Sequence, residues 1–367
     1  MIHQTKGNNM KKTIKIIAFI ALAVILLSYL CSCGAPNTVS TDTKYKLALA
    51  TQLYPDAEGA ELSKIAEFAL GTDTVSGCAW KALKEYRKST YDSTTTDTVA
   101  AIKYYTPAEA KGTDTVSYSA AFTAAAKKQL ELAAAGGAEI IVITDDDYTN
   151  AYLEIKDTTK TFGEITFVLL TVPGSRVANA AALNAKTTAV VLDNEQYGYL
   201  FGYYAVQNGY KKVGYAGEDN NASAAFISGL KAGVEAAGEG EVLTSLTSSG
   251  PVENVIKEDI AKISDKADIL IGDQLTMTYI KTSGKKYASI YKDEKAEFYI
   301  TINSEVLTTK LTEIINTARQ SNAAAVKRLT VSDNIFVYSK ESELVAVPEL
   351  SLSKADASQP AETTSQA

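Results

Sequence analysis

Several short runs of this chain consist almost entirely of apolar residues, and they limit the folds that are open to it. EIIVIT (Glu139–Thr144) and DILIG (Asp268–Gly272) show no alternation of polar and apolar residues, so a strand of either sequence must be buried on both faces. Strands of this kind occur in parallel sheets that helices cover on both sides. We therefore predict an α/β fold with parallel sheets.

The strand-like segments fall into two series of five. The first series is Lys46–Gln52, Ala100–Tyr105, Glu139–Thr144, Ile165–Val172 and Thr188–Leu192. The second is Lys212–Gly217, Glu241–Leu246, Asp268–Gly272, Tyr287–Tyr291 and Phe298–Ile302. Helical patterns separate most of them, at Cys78–Arg87, Ala120–Ala135, Gln196–Gln207, Ala222–Ala237 and Asn254–Ser264. Because parallel strands need helical crossovers, this alternation predicts two Rossmann-like lobes.

The N-terminal segment resembles a bacterial export signal. Three lysines within residues 11–15 precede an apolar run, Ile16–Leu30, which leads into Leu30-Cys31-Ser32-Cys33-Gly34. A basic start, an apolar run and a small-residue cleavage site characterise a secretory signal, and this run is shorter than the ~20 residues of a membrane-spanning helix. We predict cleavage after residue 32 and lipidation of Cys33, which anchors the protein on the extracytoplasmic face of the cell membrane. An uncleaved signal anchor is the alternative.

These patterns predict the organisation of the whole chain. We assign residues 1–32 to the lipoprotein signal peptide and residues 33–43 to a lipid-anchored tether. The first lobe is predicted over 44–192, completed by about 300–350 after a crossover, and the second lobe over 193–299. Residues 351–367 lack apolar periodicity and are predicted to be a disordered tail.

Charge and residue usage exclude several classes of function. Residues 1–32 hold four Lys and no acid, so their removal takes the formal net charge from −7 to −11. Such an acidic chain is unsuited to nucleic acid, for which clustered Lys and Arg are expected. The single histidine, His3, lies in the signal, which excludes Ser-His-Asp catalysis and histidine zinc sites from the mature chain. We expect no enzymatic activity and no cofactor.

Only one cysteine, Cys78, remains unmodified in the predicted mature chain. An intramolecular disulfide is therefore impossible, and the apolar core must hold the fold. We expect Cys78 to be a buried thiol, and we expect the protein to be a monomer.

Three motifs follow one another in the centre of the chain, namely Tyr199-Leu200-Phe201-Gly202, Lys212-Val213-Gly214-Tyr215 and the segment Phe226–Gly233. In order and spacing they resemble the basic membrane protein family of lipoproteins, which is similar to purine-nucleoside-binding proteins of the PnrA type. The resemblance extends over residues 45–320 and implies a type I periplasmic-binding-protein fold, with two lobes joined by three crossover strands. It also implies that the ligand is a nucleoside, held in the cleft, and that the partner is an ABC permease.

Two segments depart from the family's pattern. The family's loop before the first helix reads Asp-x-Ser-Phe-Asn-Gln and grips the base, whereas Thr72–Gly77 has neither the aromatic residue nor the Asn. The family's Gly-Val-Asp-x-Asp-Gln segment holds the ribose, whereas Ser289–Glu294 keeps only the second Asp, Asp293. The nucleoside specificity therefore stays open, and a surface sensor or adhesin of the same fold, without a transport role, is the alternative function.

Candidate ligand-binding residues follow from geometry, because ligands of open α/β sheets bind beyond the carboxyl ends of the strands. The candidates that follow a predicted strand or precede the first helix are Gln52, Asp73, Ser76, Asp145, Asp146, Tyr148, Glu218, Asn220, Asp273, Tyr291 and Asp293. Carboxylates and amides bind the hydroxyl groups of a polyol or nucleoside, and a Tyr can stack on a ring. Each Asp or Asn has an alternative role as a helix N-cap or turn residue.

The three adjacent acids Asp145, Asp146 and Asp147 do not have the spacing of a calcium loop, D-x-[DN]-x-[DN]-G. Neighbouring side chains point in different directions, so we expect no metal site here.

Overall fold

The computed structural model describes residues 45–52, 74–91, 102–107, 115–158, 160–172, 175–247, 253–340 and 343–346. All of them belong to one folded unit of the chain, residues 43–367. The predicted signal, tether and C-terminal tail lie outside the described residues.

The elements are numbered in chain order. The strands are β1 (Leu47–Ala50), β2 (Ile102–Tyr105), β3 (Ile140–Ile143), β4 (Thr166–Thr171), β5 (Thr187–Leu192), β6 (Lys212–Glu218), β7 (Glu241–Thr247), β8 (Ile269–Gly272), β9 (Ala288–Ser289), β10 (Phe298–Ile302), β11 (Ala325–Leu329), β12 (Phe336–Lys340) and β13 (Glu343–Ala346). The helices are α1 (Val75–Thr90), α2 (Thr115–Ala135), α3 (Asp146–Ile155), α4 (Lys160–Glu164), α5 (Asn194–Gln207), α6 (Asn221–Ala237), α7 (Glu253–Ser264), α8 (Met277–Thr282) and α9 (Ser304–Gln320). Short 3-10 turns occur at Arg176–Ala178, Ala180–Ala182 and Val331–Asp333.

The first lobe contains a sheet of parallel strands in the order β11-β5-β4-β3-β1-β2. Every residue of β1, β3 and β4 is buried, as the uninterrupted apolar runs predict. Helices pack on both faces of this sheet: α1 and α9 lie on one core cluster, and α2 and α3 on the other. Cys78 lies fully buried in α1, so its prediction as a buried thiol is confirmed.

The second lobe has parallel strands in the order β7-β6-β8, and a bridge between Leu270 and Tyr287 joins β8 to β9. Beyond this bridge lies a second sheet, with strands in the order β9-β10-β12-β13. β12 pairs antiparallel with both β10 and β13, whereas the other described strand pairs are parallel, as predicted. The reason is topological: the end of β10 pairs with the start of β12 (Ile302 with Phe336), because the chain re-enters the second lobe at the lobe boundary.

The chain passes between the lobes three times, after β5, after β10 and between β11 and β12. The crossing segments are bonded to one another: the Asp193 N–H donates to the Leu329 carbonyl at 3.1 Å, and the Asn303 N–H donates to the Ile335 carbonyl at 2.7 Å. The segments therefore lie side by side as one narrow connection.

Two helices of the second lobe, α5 and α6, approach each other unusually closely. Glycines spaced by four residues line both contact faces, Gly198 and Gly202 on α5 and Gly229 and Gly233 on α6. A Cβ on any of them would lie 1.7–2.2 Å from a backbone carbonyl oxygen of the opposite helix. The two backbones thus pack directly against each other, and no larger residue fits between them.

All ten predicted strands and all five predicted helices overlap described elements. The prediction omitted α9, the short helices α3, α4 and α8, and strands β11 to β13. Within the described part of the chain, no helix combines the length and the apolar character that a membrane span requires.

Candidate functional site

A cavity of about 290 Å³ lies between the two lobes. Its first-lobe wall consists of the residues that follow β1 and β3 and those at the start of α1, namely Thr51, Gln52, Thr144, Asp145 and residues 74–76. Its second-lobe wall includes the ends of β6, β8 and β9, namely Glu218, Asn220, Gly272, Asp273, Gln274, Leu275, Ile290 and Tyr291. The cavity is therefore built where the carboxyl ends of both sets of parallel strands face each other, as expected for open α/β sheets.

Asp145 connects two elements of the first-lobe wall through hydrogen bonds. Its Oδ1 accepts the Tyr148 N–H at 2.7 Å, which caps the N-terminus of α3, and its Oδ2 accepts the Gln52 N–H at 3.1 Å. One carboxylate thus fixes both a helix start and the end of the neighbouring strand.

Asp273 has the equivalent role in the second lobe. Its Oδ1 accepts the Thr276 N–H at 2.9 Å, and its Oδ2 accepts the Glu218 N–H at 2.6 Å. Burial raises the pKa of this carboxyl, while the N–H bonds from Glu218 and Thr276 oppose that rise. Asp145 and Asp273 therefore occupy corresponding positions on the two sides of the cavity.

Three hydroxyl groups form a closed cluster on the first-lobe wall. The Oγ atoms of Thr51 and Ser76 are 2.8 Å apart, those of Ser76 and Thr144 are 3.0 Å apart, and the Thr144 hydroxyl donates to Thr51 at 2.8 Å. We call Thr51, Ser76 and Thr144 the hydroxyl cluster. It joins the ends of β1 and β3 to the first turn of α1.

The second-lobe side of the cavity is aromatic. The ring of Tyr197 stacks on Phe336 with centroids 4.3 Å apart, and its hydroxyl donates to the Ile300 carbonyl at 2.6 Å. Tyr215 stacks on Phe226 at 5.0 Å, and its hydroxyl is 2.9 Å from the Ser223 hydroxyl. Burial raises the pKa of Tyr197 and of Tyr215 well above the ordinary value, so both phenols stay protonated. This side offers a ligand apolar surface.

Seven of the eleven predicted ligand-binding residues line the cavity: Gln52, Ser76, Asp145, Glu218, Asn220, Asp273 and Tyr291. Two of the seven also serve as N-caps: Asp145 caps α3, and Asn220 caps α6 through the Ser223 N–H at 2.9 Å. The ligand and cap roles are compatible, since a capping carboxylate or amide keeps further acceptor sites.

Asp73 and the side chain of Asp146 lie outside the described residues. The structure places Tyr148 in the first-lobe core, where it is fully buried and not part of the cavity wall. Its hydroxyl donates to the Tyr105 carbonyl at 3.3 Å, and its ring packs edge-on against Phe122. The reason is helical phase: two residues into α3, the side chain faces α2 and the sheet.

Asp293 also lies away from the cavity lining. Its carboxylate is 3.0 Å from the Lys281 ammonium and accepts a bond from the Tyr287 hydroxyl at 3.1 Å. Burial by itself would raise the pKa of Asp293, but the bonds from Lys281 and the Lys295 N–H bring it below the ordinary value. The same Lys281 lies 5.8 Å from the ring centroid of Tyr291, so this pair supports a residue that does line the cavity.

The prediction missed part of the lining. Thr51 and Thr144 directly follow β1 and β3, one position before predicted residues, and Tyr197, Tyr215, Phe226 and Phe336 supply the aromatic side, with Ser223 beside them. The two threonines follow from the same strand-end rule. The aromatic residues carry the pattern of core residues, so their sequence gave no signal of a cavity.

Among the described residues, no three His, Cys, Asp or Glu side chains cluster in a way that could hold a metal ion. The acidic lining residues are divided between the two lobes, and the carboxylates of Asp145 and Asp273 accept backbone N–H groups.

No family model matches the chain, and no curated protein matches its sequence. Solved structures do match. An ABC transporter solute-binding protein from Aeropyrum pernix is 10% identical, with a TM-score of 0.52 over 80% of this chain and 76% of that one. The Cra transcriptional regulator of Pseudomonas putida, in complex with fructose 1-phosphate, is 9% identical, with a TM-score of 0.51 over 82% and 100%.

A transcriptional activator of the comK gene from Bacillus halodurans is 10% identical, with a TM-score of 0.50 over 81% of this chain and 90% of that one. At such identities these likenesses concern the fold alone. The fold prediction is confirmed: the chain has the two-lobed α/β fold shared by periplasmic binding proteins and LacI-type regulators.

Proposed function

We propose that this protein is a lipid-anchored extracytoplasmic solute-binding protein that delivers a small molecule to an ABC importer. The observation that carries the proposal is the cavity between the lobes, which is lined by strand ends from both sides. Its volume of about 290 Å³ is near the lower limit for small-molecule sites, so the ligand is a single small unit and not a polymer. We propose no catalytic role and no cofactor.

The proposed mechanism is closure of the two lobes about their connection. Within the described residues three segments join the lobes, and the crossings after β5 and β10 each place one residue, Asp193 or Asn303, between a strand and a helix. Small changes of backbone dihedrals there would move one lobe against the other, as in hinge closure of binding proteins. Closure would bury the ligand, and the permease would recognise the closed form.

A nucleoside or a related hydroxyl-bearing molecule is the proposed ligand. The aromatic side of the cavity suits a flat, apolar ring, and the opposite wall offers carboxylate, amide and hydroxyl groups to a sugar. The resemblance of residues 194–237 to the basic membrane protein family supports the same ligand class. A site that bonds hydroxyl groups rejects analogues that lack them, because its polar groups would stay unpaired.

Ligand binding can be tested with a variant that fills the cavity. Ala222, at the start of α6, lines the cavity, whereas Ala224 on the same helix is exposed and does not. For the unaltered protein, a ligand at 100 times its dissociation constant should add about 2.7 kcal/mol to the free energy of unfolding. We expect Ala222→Phe to abolish the stabilisation by nucleosides or sugars in a thermal-shift screen, and Ala224→Phe to retain it. A screen in which no nucleoside or sugar stabilises the unaltered protein would contradict the proposed function.

The proposed anchoring depends on one residue. In a bacterial host, Cys33→Ser should abolish incorporation of labelled fatty acid, because the variant lacks the thiol to which the lipid is attached. Cys78→Ser is the matched control, since that thiol is buried in α1, and it should leave the labelling unchanged. Equal labelling of the Cys33→Ser chain would contradict the lipoprotein assignment.

A sensor or adhesin of the same fold, without transport, is the second candidate. The observation that favours it concerns Asp293, the residue kept from the segment that holds the ribose in the basic membrane protein family. Its carboxylate contacts Lys281 and Tyr287 and does not line the cavity. Uptake of radiolabelled ligand by cells with and without the gene distinguishes the two. An importer component is required for uptake, whereas a sensor is not.

A further inference from the structure

Asn208-Gly209 is the only Asn-Gly pair in the sequence. Such pairs lose ammonia spontaneously, because glycine has no Cβ to hinder attack by its own backbone nitrogen. The Gly209 nitrogen attacks Cγ of Asn208, the Cγ–Nδ2 bond breaks, and the proton of the Gly209 N–H leaves with the ammonia. Water then opens the resulting succinimide at either carbonyl carbon, which gives aspartate or isoaspartate. The pair therefore has the chemistry of a modification site.

The attacking nitrogen is held by the C-terminal end of α5. Asn208 is the C-cap of this helix, and Gly209 follows it with a φ of +88°, in the left-handed region. The Gly209 N–H donates to the Val206 carbonyl at 2.9 Å, and the Tyr210 N–H donates to the Ala205 carbonyl at 3.0 Å. These two bonds form the Schellman motif that ends many helices. The nucleophile of the reaction is therefore engaged as a donor within the helix end.

The side-chain amide of Asn208 is held as well. Its Nδ2 donates to the Tyr204 carbonyl at 2.6 Å and to the Tyr338 hydroxyl at 3.2 Å, so both of its hydrogens have acceptors. Tyr338 belongs to β12, and its ring stacks on Tyr204 with centroids 4.0 Å apart. The ψ angle of Asn208 is 8°, so the Gly209 nitrogen eclipses the backbone nitrogen of Asn208, whereas attack on Cγ requires it to eclipse Cβ. The helix end must therefore open before the succinimide ring can form.

We propose that Asn208 is a deamidation site that the fold keeps closed, and that the Tyr338 hydroxyl is the contact through which β12 keeps it closed. Reaction is confined to molecules in which the end of α5 has opened, because only there are the Gly209 N–H and the Asn208 amide released together. Local opening of this kind requires less free energy than global unfolding. The inference concerns the chemical stability of the second lobe, and it depends neither on a ligand nor on the proposed transport role.

The product of the reaction does not fit the closed site. An aspartate at position 208 places carboxylate oxygens, which only accept hydrogen bonds, against the Tyr204 carbonyl oxygen that the amide contacts at 2.6 Å. It also places a negative charge at the C-terminus of α5, where the helix dipole is negative. Asn208→Asp should therefore raise the equilibrium constant of unfolding at least tenfold in urea, whereas Asn322→Asp, at an exposed position, should change it less than threefold. Equal stability of the two variants would overturn the closed site, because the amide contacts would then contribute nothing.

The reaction itself is followed by peptide mapping. The full-length protein is incubated at mildly alkaline pH in native buffer or in guanidinium chloride, and aspartate and isoaspartate at position 208 are quantified by liquid chromatography and mass spectrometry. In guanidinium chloride we expect the rate of a synthetic peptide of residues 203–213. In native buffer we expect a rate at least 30-fold lower, because opening must precede attack. Native and denatured rates within threefold of each other would overturn the inference.

Tyr338→Phe tests the contact with β12. It removes the hydroxyl that accepts from Asn208 but keeps the ring that stacks on Tyr204. We expect deamidation in native buffer to become about fivefold faster, the factor that corresponds to a hydrogen bond of about 1 kcal/mol, and the rate in guanidinium chloride to stay unchanged. Tyr152→Phe is the matched control, because it removes a buried hydroxyl contact to Thr187 at 2.9 Å in the first lobe. Equal acceleration by both variants, or no acceleration by Tyr338→Phe, would overturn the role of Tyr338.

Discussion

Replacing Gly229 with Ala is expected to lower the free energy of unfolding by about 3 kcal/mol, at the upper end of the range for overpacking. The added Cβ would lie 1.7 Å from the Glu195 carbonyl oxygen, 2.7 Å from the Glu195 carbonyl carbon and 2.8 Å from the Tyr199 nitrogen. All three are backbone atoms of α5, so no side-chain rotation can relieve the clash. The helices must separate, which also disturbs Tyr197 and Phe226 at the cavity. Urea unfolding measures the change.

Gly163 offers a control with the same substitution. It lies in α4, and a Cβ there would have no atom within 4 Å. Ala at position 163 should therefore be neutral or stabilise the protein by about 0.5 kcal/mol, because it reduces the freedom of the unfolded chain. If Gly229→Ala and Gly163→Ala had the same stability, the close approach of α5 and α6 would be refuted.

Replacing Asp273 with Ala is expected to lower the free energy of unfolding by about 3 kcal/mol. The substitution removes the acceptor of the Glu218 N–H (2.6 Å) and of the Thr276 N–H (2.9 Å), and a buried donor left without a partner costs about 1–3 kcal/mol. These two bonds also connect the end of β6 to the turn between β8 and α8, and that connection is lost with the carboxylate. Chemical denaturation monitored by far-UV circular dichroism measures the loss in the free energy of unfolding.

Asp265 provides the control substitution for Asp273→Ala. Its side chain is 84% exposed and pairs with Lys285 at 2.8 Å on the surface. Because exposed ion pairs contribute little, Asp265→Ala should change the free energy of unfolding by less than about 0.5 kcal/mol. A loss for Asp273→Ala no larger than that of Asp265→Ala would mean that the carboxylate does not hold the strand ends together.

Local pattern was sufficient to predict most of the fold. Strands buried on both faces form short, nearly continuous apolar runs, and the length and flanking residues of these runs distinguish β3 and β8 from buried helices. The helix α9 also carries such a signal, since its buried residues Leu307, Leu311, Ile314 and Ile315 recur at helical spacing, but the prediction did not include it. The antiparallel β12 could not be predicted, because its direction follows from where the chain re-enters the second lobe.

The site was predictable where one geometric rule applies. Residues after the strands of a parallel sheet face a common edge, which is why Gln52, Asp145, Glu218 and Asp273 line the cavity. The rule fails where a contact elsewhere in the lobe determines the direction of the side chain. Tyr148 faces the first-lobe core because of its phase on α3, and Asp293 pairs with Lys281, twelve residues earlier in the chain.

The sequence by itself determined the α/β class, the division into two series of strands and the end of each sheet at which polar residues collect, because these depend on burial patterns and on chain direction. Only the tertiary structure decided which aromatic residues face the cavity and which carboxylates are neutralised. Tyr197, Tyr215 and Phe226 have the spacing and the burial of core residues. Whether such a ring borders a cavity depends on the distance between two surfaces that lie far apart in the sequence, and no local pattern encodes that distance.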